Sequence, residues 1–104
     1  MSYRHIFLTI EPEYNEKAEE FSDMLLEQGQ ECDVDGNKNG IHKKLDRAEE
    51  AKYDFIHVMN TLEHEINYTN VRIRLKNGEY KCLKSLPFVD FMHNLKCGKY
   101  ERQL

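Results

Sequence analysis

No run of eighteen apolar residues occurs in this 104-residue chain, so the sequence offers no membrane-spanning helix. Its start, Met1-Ser-Tyr-Arg-His-Ile-Phe-Leu8, is too short for the apolar core of a signal peptide and reads as a strand. A cytoplasmic location and no membrane partner are expected. Cysteine is scarce: Cys32, Cys82 and Cys97 are odd in number and lack CxxC spacing, as suits reduced thiols, with Cys32 or Cys82 half-buried in strands. His5, His42, His57, His64 and His93 are scattered without a ligand pair, and His64, between Glu63 and Glu65, reads as a loop residue rather than a metal ligand. The phosphate-binding patterns GxxxxGK[ST] and GxGxxG and the nucleophile pattern GxSxG are all missing. Asp33 and Asp35 share one strand face, but without further partners they read as solvated carboxylates rather than an acid–base pair. Repeats, low-complexity tracts and linkers are also lacking. Catalysis has little to stand on.

What the chain does have is one domain's worth of core, with 39% hydrophobic and 33% charged residues. Its net charge of −4 hides an asymmetry. Residues 1–36 carry ten acidic residues against Arg4 and Lys17, a net of −8, whereas residues 37–104 carry thirteen basic and nine acidic residues, a net of +4. Binding to phosphate depends on a local patch, so an acidic total does not exclude nucleic acid.

Hydrophobic periodicity predicts the order β-α-β-α-β-β-β-α. Tyr3 to Ile10 is a strand, and Tyr14 to Gln28 an acidic helix with Ala18, Phe21 and Leu25 on its buried stripe and Gly29 as its stop. A short strand, Gln30 to Asp35, leads into the turn-rich loop Gly36-Asn-Lys-Asn-Gly40. Ile41 to Lys52 is a second helix with Ile41, Leu45 and Ala48 inside. Phe55 to Met59 is a buried strand, and Asn60 to Tyr68 a loop. Asn70 to Leu75 and Glu79 to Leu83 form a hairpin through Lys76-Asn77-Gly78. Ser85 caps a last helix with Pro87 in its first turn and Leu86, Phe88 or Val89, Met92 and Leu95 on one face. The polar tail from Gly98 is expected to fray. These elements fit a three-layer α/β/α domain with a mixed, mostly parallel sheet of about five strands.

Binding is the better-supported chemistry. Val71, Ile73 and Leu75 alternate with Arg72, Arg74 and Lys76, which gives one strand an apolar and a cationic face. Lys38, Lys43, Lys44, Arg47 and Lys52 follow the second strand, where ligands of open α/β sheets gather beyond the strand ends. Phosphates suit these cations, and Asn37, Asn39, Tyr53 or Tyr68 suit splayed bases. Charge alone favours the plainer reading, in which Lys43, Lys44 and Arg47 are the solvated face of a helix.

From about Tyr3 to Leu95 the chain resembles the C-terminal anticodon-binding domain of threonyl-tRNA synthetases, which are class II aminoacyl-tRNA synthetases. The residues that carry the likeness are an acidic first helix, a strand closing on Asp33-Val-Asp35, then Gly40-Ile-His-Lys-Lys-Leu45, Ala51-Lys-Tyr-Asp-Phe-Ile-His-Val58 and Asn70-Val-Arg-Ile-Arg-Leu-Lys-Asn-Gly78. Related histidyl-, prolyl- and glycyl-specific domains share that fold. The resemblance implies a non-catalytic domain that holds the anticodon stem-loop while a separate catalytic domain charges the tRNA with threonine. The expected partners are therefore tRNA and the parent catalytic domain, not DNA. No cofactor is expected in this chain, because ATP and a metal ion would belong to the catalytic domain. Arg74 falls where the family keeps a base-contacting arginine, Glu65 near its loop glutamate and Lys52 at its helix-end polar position. The expected RNA-binding set is Lys38, Asn39, Lys43, Arg47, Lys52, Glu65, Arg74 and Lys76.

The chain also departs from the family. Asp46 stands where the family has an arginine, with Arg47 one step and about 100° further round the helix. Asn60 replaces a common glycine, and the loop between Met59 and Asn70 is longer than usual. An alternative of another class is a divergent relative that keeps the fold as a protein-interaction module, with its acidic first helix as the contact face.

Overall fold

The computed structural model describes residues 2–60, 67–101 and 103. Strand β1 (Arg4–Thr9) leads through a 3-10 turn at Pro12–Tyr14 into helix α1 (Asn15–Glu27). Then come β2 (Glu31–Asp35), α2 (Ile41–Glu50), β3 (Phe55–Met59), β4 (Tyr68–Arg74), β5 (Tyr80–Cys82), β6 (Leu86–Pro87) and α3 (Phe88–Lys96). The sheet order is β2-β1-β3-β4-β5, with β6 also paired to β4. β1 runs parallel to β2 and β3, and the remaining pairs are antiparallel.

Strand alternation divides the sheet into two faces. Phe7, Phe55, Met59, Val71 and Ile73 pack with Ala18, Phe21 and Leu25 of α1 and Phe88, Phe91 and Leu95 of α3. On the other face Ile6, Leu8, Ile56 and Val58 pack beneath Leu45 and Ala48 of α2. The result is the expected three-layer sandwich, with two helices on one side and one on the other. Phe91 is fully buried between α3 and the sheet, where truncation to alanine costs about 3–5 kcal/mol.

The carboxyl-terminal region departs most from the expectation. Leu86–Pro87 is a sixth strand, not the first turn of a helix, and pairs with Tyr68 and Thr69. Proline is tolerated there because the strand lies on the sheet edge. α3 therefore starts at Phe88, which buries Phe88 and Phe91 and leaves Val89 63% exposed. The tail after Gly98 does not simply fray: Tyr100 is buried, packs on Phe55 and Phe91, and its hydroxyl accepts from Asn94 Nδ2.

A polar chain crosses the buried layer. Gln30 Oε1 accepts from the Tyr3 N–H at 2.9 Å, which leaves it to accept also from His5 Nε2–H at 3.2 Å. His5 Nδ1 then accepts from His57 Nε2–H, and the Thr69 hydroxyl donates to His57 Nδ1 at 2.7 Å. All the donors point the same way, and both imidazoles are satisfied while neutral. His5 also stacks on Phe55, and His57 on Phe7.

Candidate nucleic-acid interface

Register lays the α2 side of the sheet out in three rows. Nearest the loop 36–40 stand Asp35, Leu8, Val58 and Asn70; next come Asp33, Ile6, Ile56, Arg72 and Cys82. The third row holds Glu31, Arg4, Asp54, Arg74 and Tyr80, with Asp54 extending the pairing by bonds from its N–H to Arg4 O and from Arg74 N–H to its own carbonyl, both 2.9 Å. Each row runs from acid on β2, through an apolar centre or, in the third, through Arg4 and Asp54, to polar or cationic on β4. Helix α2 covers the apolar centre, so its two flanks look onto surfaces of opposite sign.

β4 alternates as the sequence predicts: Thr69, Val71 and Ile73 are buried, while Tyr68, Asn70, Arg72 and Arg74 are half-buried on the open side. The strand ends at Arg74, so Leu75 only packs against the core and Lys76 belongs to the turn. There Asn77 Oδ1 accepts from the Glu79 N–H, and Gly78 takes a φ of +90°, which favours glycine. The two arginines differ in their surroundings. Arg74 Nη2 donates to Asp54 Oδ1 at 3.2 Å, whereas Arg72 has no ion-pair partner among the described residues.

The third row is tied down further. Asp54 Oδ2 accepts from the Arg4 N–H, and Arg4 lays its guanidinium 4.5 Å from the Tyr53 ring centre while Nη1 donates to Ala51 O. Tyr53 donates to Asp33 Oδ2 and Tyr80 to Tyr53 O, each at 2.6 Å. Burial, reinforced by Asp33, pushes the Tyr53 phenol up to about 12. Burial also raises Tyr80, against the opposing effect of Arg74. Both hydroxyls stay donors, and the Tyr53 ring is already occupied by Arg4, which makes it a poor platform for a base. Asp33 is likewise committed, and Asp35 accepts from the Asn37 N–H.

At the opposite end, any side chain at position 36 would push on Asn15. A Cβ there would lie 2.8 Å from the Asn15 amide, which accepts from the Thr9 hydroxyl at 2.6 Å. The loop beyond folds on itself, with Asn37 Oδ1 accepting from the Asn39 N–H, and leaves Lys38 exposed. Lys44 is not on the solvated face of α2. Helical spacing from Ile41 and Ala48 turns it inward, where it is 1% exposed and Nζ donates to Thr9 O at 2.7 Å.

The expected site residues do not converge on one patch. Lys38 and Asn39 lie at the loop end; Lys52, Arg74 and Lys76 lie at the other. Arg74 is four residues along β4 from Asn70, about 13 Å, and β4 is three strand spacings from β2, about 14 Å. Lys43 and Arg47 are exposed one helical turn apart on α2. Glu49 is near enough to Tyr80 to raise its phenol, so the α2 flank toward β4 and β5 is the flank of Glu49, about 200° from Arg47. Glu65 lies outside the described residues, as does His64. Among the described residues no three His, Cys, Asp or Glu side chains are arranged to hold a metal. Cys32 is half-buried with its thiol pushed up to about 11 by burial, while Cys82 and Cys97 are exposed.

A family described as an anticodon binding domain matches residues 6–97. Among solved structures, the chain is similar to the RNA binding domain of threonyl-tRNA synthetase from Cryptosporidium parvum Iowa II, with a TM-score of 0.79 and 17% identity over 91% of this chain and 23% of that one. It is also similar to histidyl-tRNA synthetase from Nostoc sp. PCC 7120, with a TM-score of 0.74 and 15% identity over 89% and 21%. The chain thus spans less than a quarter of either. At such identities the likeness is one of fold. No curated protein matches in sequence.

Proposed function

The chain belongs to the anticodon-binding domain family of class II aminoacyl-tRNA synthetases, and on that premise we propose that it is a non-catalytic tRNA-binding module of a threonyl-tRNA synthetase. Its task would be to hold the anticodon stem-loop of threonine tRNA while a separate catalytic domain, with ATP and a metal ion, charges the acceptor end. The observation that carries this reading is the open flank of β4, where Arg72 and Arg74 stand two residues apart on one face and Arg72 has no acidic partner among the described residues. Arginine is suited to phosphate because its planar fork donates two parallel hydrogen bonds. The spread of Lys38, Arg47, Lys52 and Arg74 suits several nucleotides rather than one phosphate.

The test is binding of labelled threonine-tRNA anticodon stem-loop, against an unrelated stem-loop, over a salt series. Selective binding that weakens with salt supports a phosphate-anchored reader. Equal binding of both stem-loops would remove the threonine specificity, and no binding at low salt would remove the RNA role.

A second reading has its own observation. Glu16, Glu19, Glu20, Asp23 and Glu27 all lie exposed on α1, on the opposite side of the sheet from β4's arginines. That face suits a basic protein partner if stem-loop binding fails.

A further inference from the structure

Helix α3 carries a donor pair on the side turned away from the sheet. His93 and Cys97 are four residues apart and both exposed, and His93 Nε2 lies 3.5 Å from Cys97 Sγ. Each stands about 200° round the helix from Leu95, which faces the core, but in opposite senses. The two side chains are therefore only about 40° apart, at the crest of the outer face. The chain beyond the helix leaves that crest open: it turns at Gly98, whose φ is +75°, and takes Tyr100 onto Phe55 and Phe91. Neither the imidazole nor the thiol has another side-chain partner among the described residues.

The spacing of these two atoms is that of a chelate. Zinc holds sulfur at about 2.3 Å and imidazole nitrogen at about 2.0 Å, so a tetrahedral angle sets the two donors about 3.5 Å apart. An i, i+4 pair is also how an HExxH helix presents two ligands to zinc. A weak S–H···N hydrogen bond of that length holds the side chains in place, so little ordering is left for a metal to impose. One chain offers only half a site, because no third His, Cys, Asp or Glu among the described residues completes the pair, and structural zinc takes four ligands. Val89 lies one turn before His93 on the same i, i+4 ridge and is 63% exposed; such ridges interlock when two helices cross. Charge sets the condition. Each chain carries −4, and Glu16, Glu19, Glu20, Asp23 and Glu27 lie exposed on the neighbouring α1, so two copies repel unless a cation stands between them.

We propose that two copies of this chain share one zinc ion, each supplying His93 and Cys97, in a tetrahedral site on a two-fold axis. Cys97 binds as the thiolate and gives its proton to solvent. His93 binds through Nε2 as the neutral ring, with its hydrogen on Nδ1. Two thiolates balance the charge of the ion. The same patch is used on both copies, so the assembly closes at the dimer. Because α3 lies on the opposite side of the sheet from α2, the Arg72 flank of β4 stays open, and the proposal does not depend on RNA binding.

The test is the mass of the full chain in solution, measured by ultracentrifugation under a non-thiol reductant, with zinc added and then removed by EDTA. The expected result is a monomer without metal, a dimer holding one zinc per two chains, and a return to monomer with EDTA. Cobalt in place of zinc is expected to show the visible and sulfur-to-metal charge-transfer bands of a tetrahedral thiolate site. Cys97→Ser and His93→Gln change exposed side chains and leave the core untouched, and each is expected to abolish the zinc-dependent dimer. Cys82→Ser, also exposed, is expected to leave it intact. A chain that stays monomeric in excess zinc overturns the proposal. So does a dimer that survives EDTA, or one that either α3 substitution leaves unchanged.

Discussion

His5 and His57 stand 52 positions apart in the chain and meet in the sheet, Nδ1 to Nε2, at 3.2 Å. The contact is wholly buried and joins neighbouring parallel strands. Burial there disfavours the charged form of either ring. Burial lowers His5 to about 4, despite the opposing hydrogen bond to Gln30, and lowers His57 well below 6.5, with the charge of His5 as a further cause.

Acid should therefore loosen the fold. The unfolded chain takes up protons at both histidines below about pH 6.5, whereas in the folded chain His5 resists until near pH 4 and His57 is held well below 6.5. Their contribution is complete above the unfolded value and is lost as pH falls through that window, on the order of 1 kcal/mol per pH unit for each histidine. Urea midpoints measured at about pH 7.5 and about pH 5 should fall beyond what the carboxylates alone give. A profile with no histidine contribution would mean that the rings take up protons as readily in the folded chain as in the unfolded one.

Lys44 should matter to stability and not to RNA. Lys44→Met keeps an apolar stem but leaves Thr9 O without its donor, with an expected loss of about 1–3 kcal/mol in urea unfolding. Lys43→Met, one residue away and exposed, should leave unfolding unchanged. A stability-neutral Lys44→Met would show that the Thr9 bond is weak.

Lys52 occupies a position that favours glycine. At the end of α2 it has a φ of +59°, and its N–H donates to Glu49 O. Left-handed backbone costs a side chain about 1–2 kcal/mol, so Lys52→Gly should raise the melting temperature by several degrees. Reduced stem-loop binding by the same, more stable variant would assign a role to the lost ammonium group.

The β4 arginines should separate by salt dependence. Arg72→Ala should weaken stem-loop binding, reduce the slope of log K against log salt by about one, and leave unfolding unchanged. Arg74→Ala strips Asp54 of its ion-pair partner and should lower stability as well as binding. An unchanged slope for Arg72→Ala would place that side chain away from phosphate.

How much of this was legible in the sequence depended on range. The alternation along Val71, Arg72, Ile73 and Arg74 encodes its own two faces, and Phe55 to Met59 reads as a buried strand because apolar and β-branched residues dominate it. Lys44 did not read as buried, because periodicity marks its position while its charge argues the reverse, and the deciding group is a carbonyl 35 residues earlier. The histidine pair has no local signature at all. At α3 an edge strand through Pro87 moved the helix start, and with it the choice of Phe88 and Phe91 over Val89. The candidate interface shows the same limit: the sequence supplied the cations, but only the register separates Lys38 from Arg74 and ties Arg74 to Asp54.

The two rows that run from carboxylates on β2 to Arg72 and Arg74 on β4 have a consequence for an approaching polyanion. With a net charge of −4, the molecule as a whole repels it. The separated signs nevertheless exert a torque, turning β4 forward and β2 away before any contact forms. Such a field would select orientation during an encounter with RNA, and added salt is expected to slow that association as well as weaken it.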